Sequence, residues 1–234
     1  MTSRIAGAAV AALLLVVASE ARADIIFSLD QGSLQPTENL LFADGGSGTS
    51  VQGHTNTTNT LFTIRSNENL TASGGQATVS ASDGSFNLFF LEPTDPAILF
   101  SEFEADVRVV AHSSGTATVT ACTQGGNFDG AGFTPVGANM IGDGKPCEQF
   151  SYTLGAGENF FVLSVAGSQL LTGVTISTNV GIADVRQIRL SPDSADGSVT
   201  NTAAVPEPAS LVLLGSGLLA GARTLRRRKT APQV

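Results

Sequence analysis

Clusters of turn-forming residues recur every 8 to 12 positions between residues 24 and 200, and this spacing limits the fold more than any other feature. Pairs such as Asp83-Gly84 and Ser114-Gly115 accept the positive φ angles of tight turns. No segment between the clusters shows a sustained helical period. The pattern predicts an all-β domain, an antiparallel β-sandwich of which a jelly roll is one form. The predicted strands are residues 25–29, 61–65, 76–81, 86–91, 102–110, 116–122, 149–154, 159–165, 173–177 and 184–190.

The clearest predicted strand is residues 102–110, where apolar and charged side chains alternate with a period of two. We interpret Glu102 and Glu104 as part of a solvated surface, because both point to the same strand face and do not resemble the paired acids of a glycoside hydrolase. The apolar face carries Phe103, Ala105, Val107 and Val109, and the charged face carries Glu102, Glu104, Asp106 and Arg108.

Phenylalanine supplies most of the aromatic bulk, with 13 Phe, one Tyr and no Trp. This disfavours a sugar-binding module that stacks sugar rings on exposed Trp or Tyr, although Asp, Asn and bound calcium can also hold sugars. The pairs Phe89-Phe90 and Phe160-Phe161 place one ring on each side of a strand. One ring of each pair must therefore be covered by another part of the chain or form an exposed patch.

The amino-terminal residues have the three parts of a secretory signal peptide. Arg4 precedes an apolar run at residues 5–18, and the small residues Ala21 and Ala23 mark a cleavage position before Asp24. The run of 14 residues is shorter than the ~20 that a retained membrane anchor needs. We therefore predict that signal peptidase removes residues 1–23.

The carboxyl-terminal residues form a second three-part signal. Pro206, Glu207 and Pro208 end a linker at residues 201–208 and precede an apolar segment at 209–225. The 17 residues of that segment reach the lower limit for a single transmembrane helix. A basic cluster would stop translocation and leave residues 226–234 as a cytoplasmic tail. Its members are Arg223, Arg226, Arg227, Arg228 and Lys229.

This order of a Pro-Glu-Pro motif, an apolar segment and a basic terminus resembles the PEP-CTERM sorting signal of exported bacterial proteins, also called the ice-binding protein C-terminal domain. The resemblance covers about the last 25 residues. It implies that an exosortase recognises the motif, cleaves near it and releases or transfers the ectodomain. It also implies a Gram-negative bacterium that makes extracellular polysaccharide. Residues 53–56, 81–86 and 184–189 resemble segments of other PEP-CTERM ectodomains.

Cys122 and Cys147 are the only cysteines, and an exported chain would join them in a disulfide. By the chain-entropy relation, that bridge contributes about 3.5 kcal/mol to stability. The loop at residues 123–146 contains seven glycines and two candidate calcium ligands, Asp129 and Asp143. Neither aspartate lies in the ligand spacing of an EF-hand, so we favour Asp-Gly turns and keep calcium as the alternative.

Signals for catalysis are weak in this sequence. His54 and His112 could each serve a hydroxyl nucleophile, but no Gly-x-Ser-x-Gly elbow or other local signature selects their partners. The Thr- and Asn-rich residues 56–60 lack the repeat of a flat ice-binding face. We therefore predict a noncatalytic domain without a required cofactor, and a secreted hydrolase remains the last alternative.

The exported part is more acidic than the whole chain. Residues 24–204 hold five cationic and 18 acidic residues, a net charge of −13, whereas the whole chain has −8. This balance argues against nucleic acid and anionic membrane surfaces as partners, and it favours divalent cations or neutral and cationic polymers. With an ectodomain at residues 24–200, we predict a cell-surface or extracellular protein with a structural or adhesive role in a polysaccharide matrix. The alternative is a calcium- or carbohydrate-binding module.

Overall fold

Eleven strands and no helix build the part of the chain that the structure describes. The computed structural model describes residues 25–194, apart from 31, 33, 43, 44, 74, 76, 130–132, 138, 139, 143, 144 and 168. The predicted signal peptide, PEP motif, transmembrane helix and basic tail lie outside these residues. Within them, no helix is long and apolar enough to cross a membrane. The strands are β1 (Ile25–Ser28), β2 (Glu38–Leu41), β3 (Gly46–Thr55), β4 (Leu61–Ala72), β5 (Thr78–Ala81), β6 (Phe86–Pro93), β7 (Ile98–Val109), β8 (Gly115–Thr123), β9 (Cys147–Leu154), β10 (Glu158–Val165) and β11 (Leu171–Ser194).

Strand β11 organises the sheet, because its 24 residues pair with five other strands. Its first half lies between β6 and β8, where Val174 is opposite Leu91 and Ala121. Its second half lies beside β7, β5 and β2, and there Val185 is opposite Val107 and Val79. On its other edge, β8 pairs with β9. Strand β7 pairs with β10, and β10 pairs in turn with β1. All these pairings are antiparallel, which confirms the predicted class.

The sheet is sandwich-like, but its layers are not separate sheets. Hydrogen bonds connect β11 to β6, β6 to β4, β4 to β3, β3 to β2 and β2 back to β11. This ring of paired strands closes because β11 belongs to both layers of the sandwich. The register of β11 against β6 shifts between Ser177 and Ile182. Such an irregularity bends a strand and increases its twist.

Phenylalanine fills the core, as the composition predicted. Phe89 lies in the core, while Phe90 points to the other face of β6 and is covered by Phe128, with ring centroids 4.9 Å apart. The prediction that another part of the chain covers one ring is therefore confirmed for this pair. In the second pair, Phe161 is buried and Phe160 is half-buried. Eight phenylalanines are fully buried: Phe42, Phe62, Phe86, Phe89, Phe90, Phe100, Phe103 and Phe161.

The disulfide between Cys122 and Cys147 is present, which confirms the predicted pairing. The two residues are directly opposite each other at the ends of β8 and β9. The bridge therefore closes the loop that carries Phe128. Gly173 makes room for this ring, because an added Cβ there would lie 3.1 Å from the Phe128 side chain.

Candidate functional site

Charged side chains form a ladder across β7, β10 and β11 on the outward face of the sheet. Directly opposite residues of antiparallel strands share a face, so the register decides which charges meet. Three opposed pairs between β7 and β11 join opposite charges, and Glu158 of β10 lies opposite Arg108 as well. The β7 and β11 pairs are Glu104 with Arg189, Asp106 with Arg186, and Arg108 with Asp184.

A β-bulge in β11 produces this alignment. Arg186 and Arg189 are three residues apart, and an uninterrupted strand would point them to opposite faces. The register instead shifts between them, and Gln187 adopts a φ of 49°. One extra residue on β11 thus brings both arginines to the outward face. Bulges and strained non-glycine residues often occur beside binding sites, which makes this segment a candidate.

The predicted solvated face of residues 102–110 is wrong at two positions. Glu104 is 3% exposed and Asp106 is fully buried. Their neighbours in the sheet are on β10 and β11. The half-buried Phe160 lies opposite Asp106, and the buried Val162 lies opposite Glu104. Alternation along one strand cannot reveal such cover, because it comes from residues distant in sequence.

The connection from β1 to β2 reaches this face through two contacts. The carbonyl oxygen of Pro36 accepts a hydrogen bond of 2.8 Å from Nη2 of Arg189. The backbone N–H of Thr37 donates to Oγ of Ser191 at 3.1 Å. Ser191 in turn donates to Oε2 of Glu102 at 2.7 Å. These bonds hold the connection against the charged strands.

Burial raises the pKa of three carboxyl groups in the ladder. The pKa of Asp106 rises to about 6, mainly because of burial and also because of the nearby charge of Glu158, while a hydrogen bond from the backbone of Asn159 opposes the shift. Burial also raises the pKa of Glu104, against the attraction of Arg189. It raises the pKa of Asp184 against the attraction of Arg108. The ladder therefore holds carboxyl groups that ionise less readily than exposed ones.

Hydrogen bonding of the buried acids is incomplete. Oδ1 of Asp106 accepts the backbone N–H of Asn159 at 3.0 Å. Among the described residues, neither Oδ2 of Asp106 nor Oε2 of Glu104 has a hydrogen-bond partner. An unpartnered buried carboxylate oxygen is costly, so protonation of these groups is favoured by the same geometry that buries them.

A groove of about 580 Å³ lies beside the ladder, where β2, β5 and β11 meet. Arg189 is opposite Asn39 of β2, and Arg186 is opposite Thr78 of β5. The lining thus combines two cationic side chains, polar side chains and two apolar ones. Its members are Asn39, Leu41, Ala77, Thr78, Arg186, Gln187 and Arg189.

Hydrogen bonds hold the two arginines of the groove in place without using all of their N–H donors. Arg186 donates to both carboxylate oxygens of Asp184, through Nε at 2.5 Å and Nη2 at 3.2 Å. Arg189 donates through Nη2 to Pro36. A guanidinium has five N–H donors, so each side chain keeps donors beyond these bonds. This arrangement suits the binding of an acceptor-rich group.

The structure does not bring the other sequence candidates into one site. His54 is half-buried, with Nδ1 3.3 Å from the carbonyl oxygen of Thr55, and His112 lies in an exposed turn with a φ of 62°. Oδ1 of Asp129 accepts the backbone N–H of Phe133 at 2.9 Å, as in a turn, and Asp143 lies outside the described residues. No group of three or more His, Cys, Asp or Glu within the described ranges could hold a metal ion.

Sequence reasoning missed the groove. Arg186, Gln187 and Arg189 lie in the segment that resembles other PEP-CTERM ectodomains, and that resemblance was the only available signal. Asn39 lies in β2, which the strand pattern did not predict.

An all-β domain with a disulfide belongs to the class of proteins that fold in an oxidising compartment outside the cytoplasm. Residues 204–229 match the PEP-CTERM protein-sorting motif, which identifies the terminal signal. The chain is therefore an exported protein sorted by an exosortase, and its signal implies delivery to the surface or surroundings of a Gram-negative cell. The signal peptide and the membrane-spanning helix stay predictions.

Similarity to other proteins adds little to this assignment. No curated protein shows significant sequence similarity to the chain. A solved structure that matches is the enzymatically active domain of tailspike protein 4 of bacteriophage CBA120, with 11% sequence identity and a TM-score of 0.24. The match covers 74% of this chain and 20% of that one. A TM-score this low carries no argument about fold or function.

Proposed function

We propose that this protein is a noncatalytic component of the extracellular polysaccharide matrix, with a structural or adhesive role at the cell surface. The observation that carries the proposal is the PEP-CTERM motif at residues 204–229, which sends the chain out of the cell. The tail anchors the chain in the membrane until an exosortase cleaves near Pro206-Glu207-Pro208. The ectodomain is then released or attached outside the cell.

The form of the ectodomain supports a structural role. Its sheet closes on itself, and the disulfide joins β8 and β9 where the longest loop begins and ends. The edge strand β1 is protected, because the backbone N–H of Ile25 donates to Oε1 of Glu148 at 3.3 Å. The rings of Phe27 and Phe150 stack beside this bond at 5.1 Å. Protected edges limit uncontrolled strand pairing outside the cell.

The fate of the tail tests the sorting step. In the native cell, mass spectrometry of envelope and medium should find chains that end near Pro206, and deletion of the exosortase should leave the tail intact. The triple variant P206A/E207A/P208A should accumulate uncleaved in the membrane. Matched controls are N201A and T202A in the linker before the matched motif, which should be processed normally. Intact tails on all wild-type molecules would contradict processing by cleavage.

The matrix role needs a separate test. A strain that lacks this protein should release more polysaccharide into the medium or adhere less well to surfaces. Expression of the wild-type protein should restore polysaccharide retention and adhesion. A variant with substitutions in the polar groove and a wild-type sorting signal distinguishes a defect in adhesion from a defect in sorting. Unchanged matrix retention and adhesion in the deletion strain would contradict the structural role.

Carbohydrate binding is the second candidate function, and the groove favours it. Sugar hydroxyl groups pair with amide, hydroxyl and guanidinium side chains, and the groove offers all three in Asn39, Thr78 and Arg189. The alternative that calcium binds was based on Asp129 and Asp143. It gains no support from the structure, because Oδ1 of Asp129 accepts a backbone N–H in a turn. Thermal melts with a panel of exopolysaccharides, with and without calcium, test both ligands. A melting temperature that no ligand changes would remove this candidate.

A further inference from the structure

We propose that the groove between β2, β5 and β11 binds a carboxylated sugar, such as a uronic acid unit of an acidic polysaccharide. This inference rests on the proposed function, because it names the polymer chemistry that the ectodomain would meet in the matrix. It departs from the expectation from net charge, which favoured neutral and cationic polymers.

Positive charge is concentrated at this groove. Residues 24–204 contain only five cationic side chains, Arg65, Arg108, Lys145, Arg186 and Arg189. Two of the five line the groove. Arg186 is ion-paired with Asp184, as Arg65 is with Glu92 outside the groove, whereas Arg189 donates to the uncharged carbonyl oxygen of Pro36. An anionic polymer repelled by the rest of a domain with net charge −13 would find its most favourable contact here.

The backbone around Gln187 is strained in a way that serves the groove. A φ of 49° costs a non-glycine residue on the order of 1 kcal/mol. The bulge at this residue is what places Arg186 and Arg189 on one face. Planar guanidinium groups bind carboxylates through paired N–H donors, and Arg189 has donors left after its bond to Pro36. The strain thus positions two groups with the chemistry that recognises a carboxylate.

The remaining lining fits the rest of a sugar ring. Asn39 is exposed and Thr78 is half-buried, and both lie along the same edge of β11. Their amide and hydroxyl groups can pair with ring hydroxyls. Leu41 and Ala77 supply apolar surface for the C–H face of the ring. A volume of about 580 Å³ lies within the usual range for small-ligand sites.

Calorimetry with the full chain, purified in a mild detergent, tests the inference. The probes are a trigalacturonate, the neutral sugar maltotriose and acetate. We expect the trigalacturonate to bind at least tenfold more tightly than maltotriose, and the difference to shrink at 0.5 M salt because charges are screened. Equal binding of the charged and neutral sugars, or no binding of either, would overturn the inference. Acetate that binds as tightly as trigalacturonate would also overturn it, because the site would then recognise only a carboxylate.

Variants locate the binding at the groove. R189Q should weaken trigalacturonate binding at least tenfold, whereas the matched control R65Q removes the same charge elsewhere and should leave binding within twofold of wild type. N39A changes an exposed side chain, so it should keep the fold and weaken trigalacturonate binding two- to fivefold. Far-ultraviolet circular dichroism and thermal melts verify folding. If R189Q and R65Q behave alike, and N39A binds as wild type, the groove is not the site.

Failure of this inference and failure of the proposed function look different. Cleavage at the tail together with an absence of uronate binding would reject the groove assignment alone. Uronate binding by a chain whose tail is never cleaved would reject exosortase processing and keep the groove assignment.

Discussion

Asp106 destabilises the folded state at neutral pH, because its charge is buried among other acids. Its pKa rises from an ordinary value of 3.8 to about 6 in the folded chain. The folded state therefore binds a proton more tightly than the unfolded state, so stability falls as pH rises from about 4 to about 6. Each pKa unit corresponds to ~1.4 kcal/mol, which gives a cost of roughly 3 kcal/mol above pH 6.

Asp106→Asn should remove much of this cost. The Asn side chain can still accept the backbone N–H of Asn159, and it carries no charge. We expect the free energy of unfolding to rise by about 1 to 3 kcal/mol at pH 7.5 and to change little at pH 4. Urea denaturation at both pH values measures this difference. Asp83→Asn, at an exposed turn, is the matched control and should change stability by less than about 0.5 kcal/mol. A gain of equal size at both pH values would argue against a buried charge as the cause.

Glu38 has the opposite effect on stability, although it too is buried. Burial is the largest single influence and raises its pKa, but hydrogen bonds from the backbone N–H groups of Thr58 and Thr57 and from the side chains of Thr58 and Thr55 together outweigh it and lower the pKa. The ionised carboxylate therefore stabilises the turn after β3, and this contribution is lost as pH falls through its folded pKa.

Glu38→Gln should therefore destabilise the chain, by about 1 to 3 kcal/mol at pH 7.5, because the charged acceptor of two backbone donors is lost. The loss should shrink as pH falls from 7.5 towards 3, because protonation of wild-type Glu38 removes the charge that Gln lacks. Urea denaturation across this pH range measures it. Glu68→Gln, on an exposed part of β4, serves as the control. A loss that stays constant from pH 7.5 to pH 3 would contradict the role of the charge.

The hairpin between β9 and β10 depends on one buried side chain, Asn159. Its Nδ2 lies within 3.2 Å of the carbonyl oxygens of Val107, Gly155 and Gly157, and its Oδ1 accepts the N–H of Gly155 at 2.8 Å. We expect Asn159→Ala to cost about 2 to 4 kcal/mol, because several backbone groups lose their partner. Asn159→Asp should cost more, since it points a carboxylate at the carbonyl oxygens that the amide N–H groups now bind. Thermal melts of both variants test the order, and an Asp variant as stable as the Ala variant would contradict it.

The strand pattern predicted nine of the eleven strands and missed β2 and β3. Strand β3 contains Gly46, Gly48 and Gly53, which local propensity assigns to turns, yet pairing with β4 keeps it extended. The segments at 173–177 and 184–190 were predicted as separate strands and form one continuous β11. Local pattern could not reveal this, because neighbours on both sides of β11 hold its irregular middle in the sheet.

The candidate site was less predictable than the fold. Period-two alternation placed the apolar residues of β7 correctly, and all four are buried. It could not show that Glu104 and Asp106 are covered, since the cover comes from β10 and β11. Arg186 and Arg189 have a spacing that alternation assigns to opposite faces, and only the bulge at Gln187 reverses that assignment.

At the scale of the whole molecule, folding waits for the end of the domain. Strand β11 is the last strand in the chain, yet it pairs with β2, β5, β6, β7 and β8. Seven of its apolar side chains are fully buried, and at ~2 kcal/mol each they contribute on the order of 14 kcal/mol. That sum is comparable to the net stability of a typical domain. The seven are Leu171, Val174, Ile176, Ile182, Val185, Ile188 and Leu190.

A fragment of residues 24–170 should therefore fail to fold, whereas residues 24–200 should melt cooperatively. Without β11, strands β6 and β2 each lose a hydrogen-bonded neighbour. The ring of paired strands β11, β6, β4, β3 and β2 then cannot close. Circular dichroism melts and limited proteolysis compare the two fragments, and a synthetic peptide of residues 171–194 added to the short fragment is the complementation control. The peptide should restore protection from protease. A cooperative melt of residues 24–170 alone would show that β11 docks on a preformed domain, and the exported chain could then fold before its sorting signal reaches the membrane.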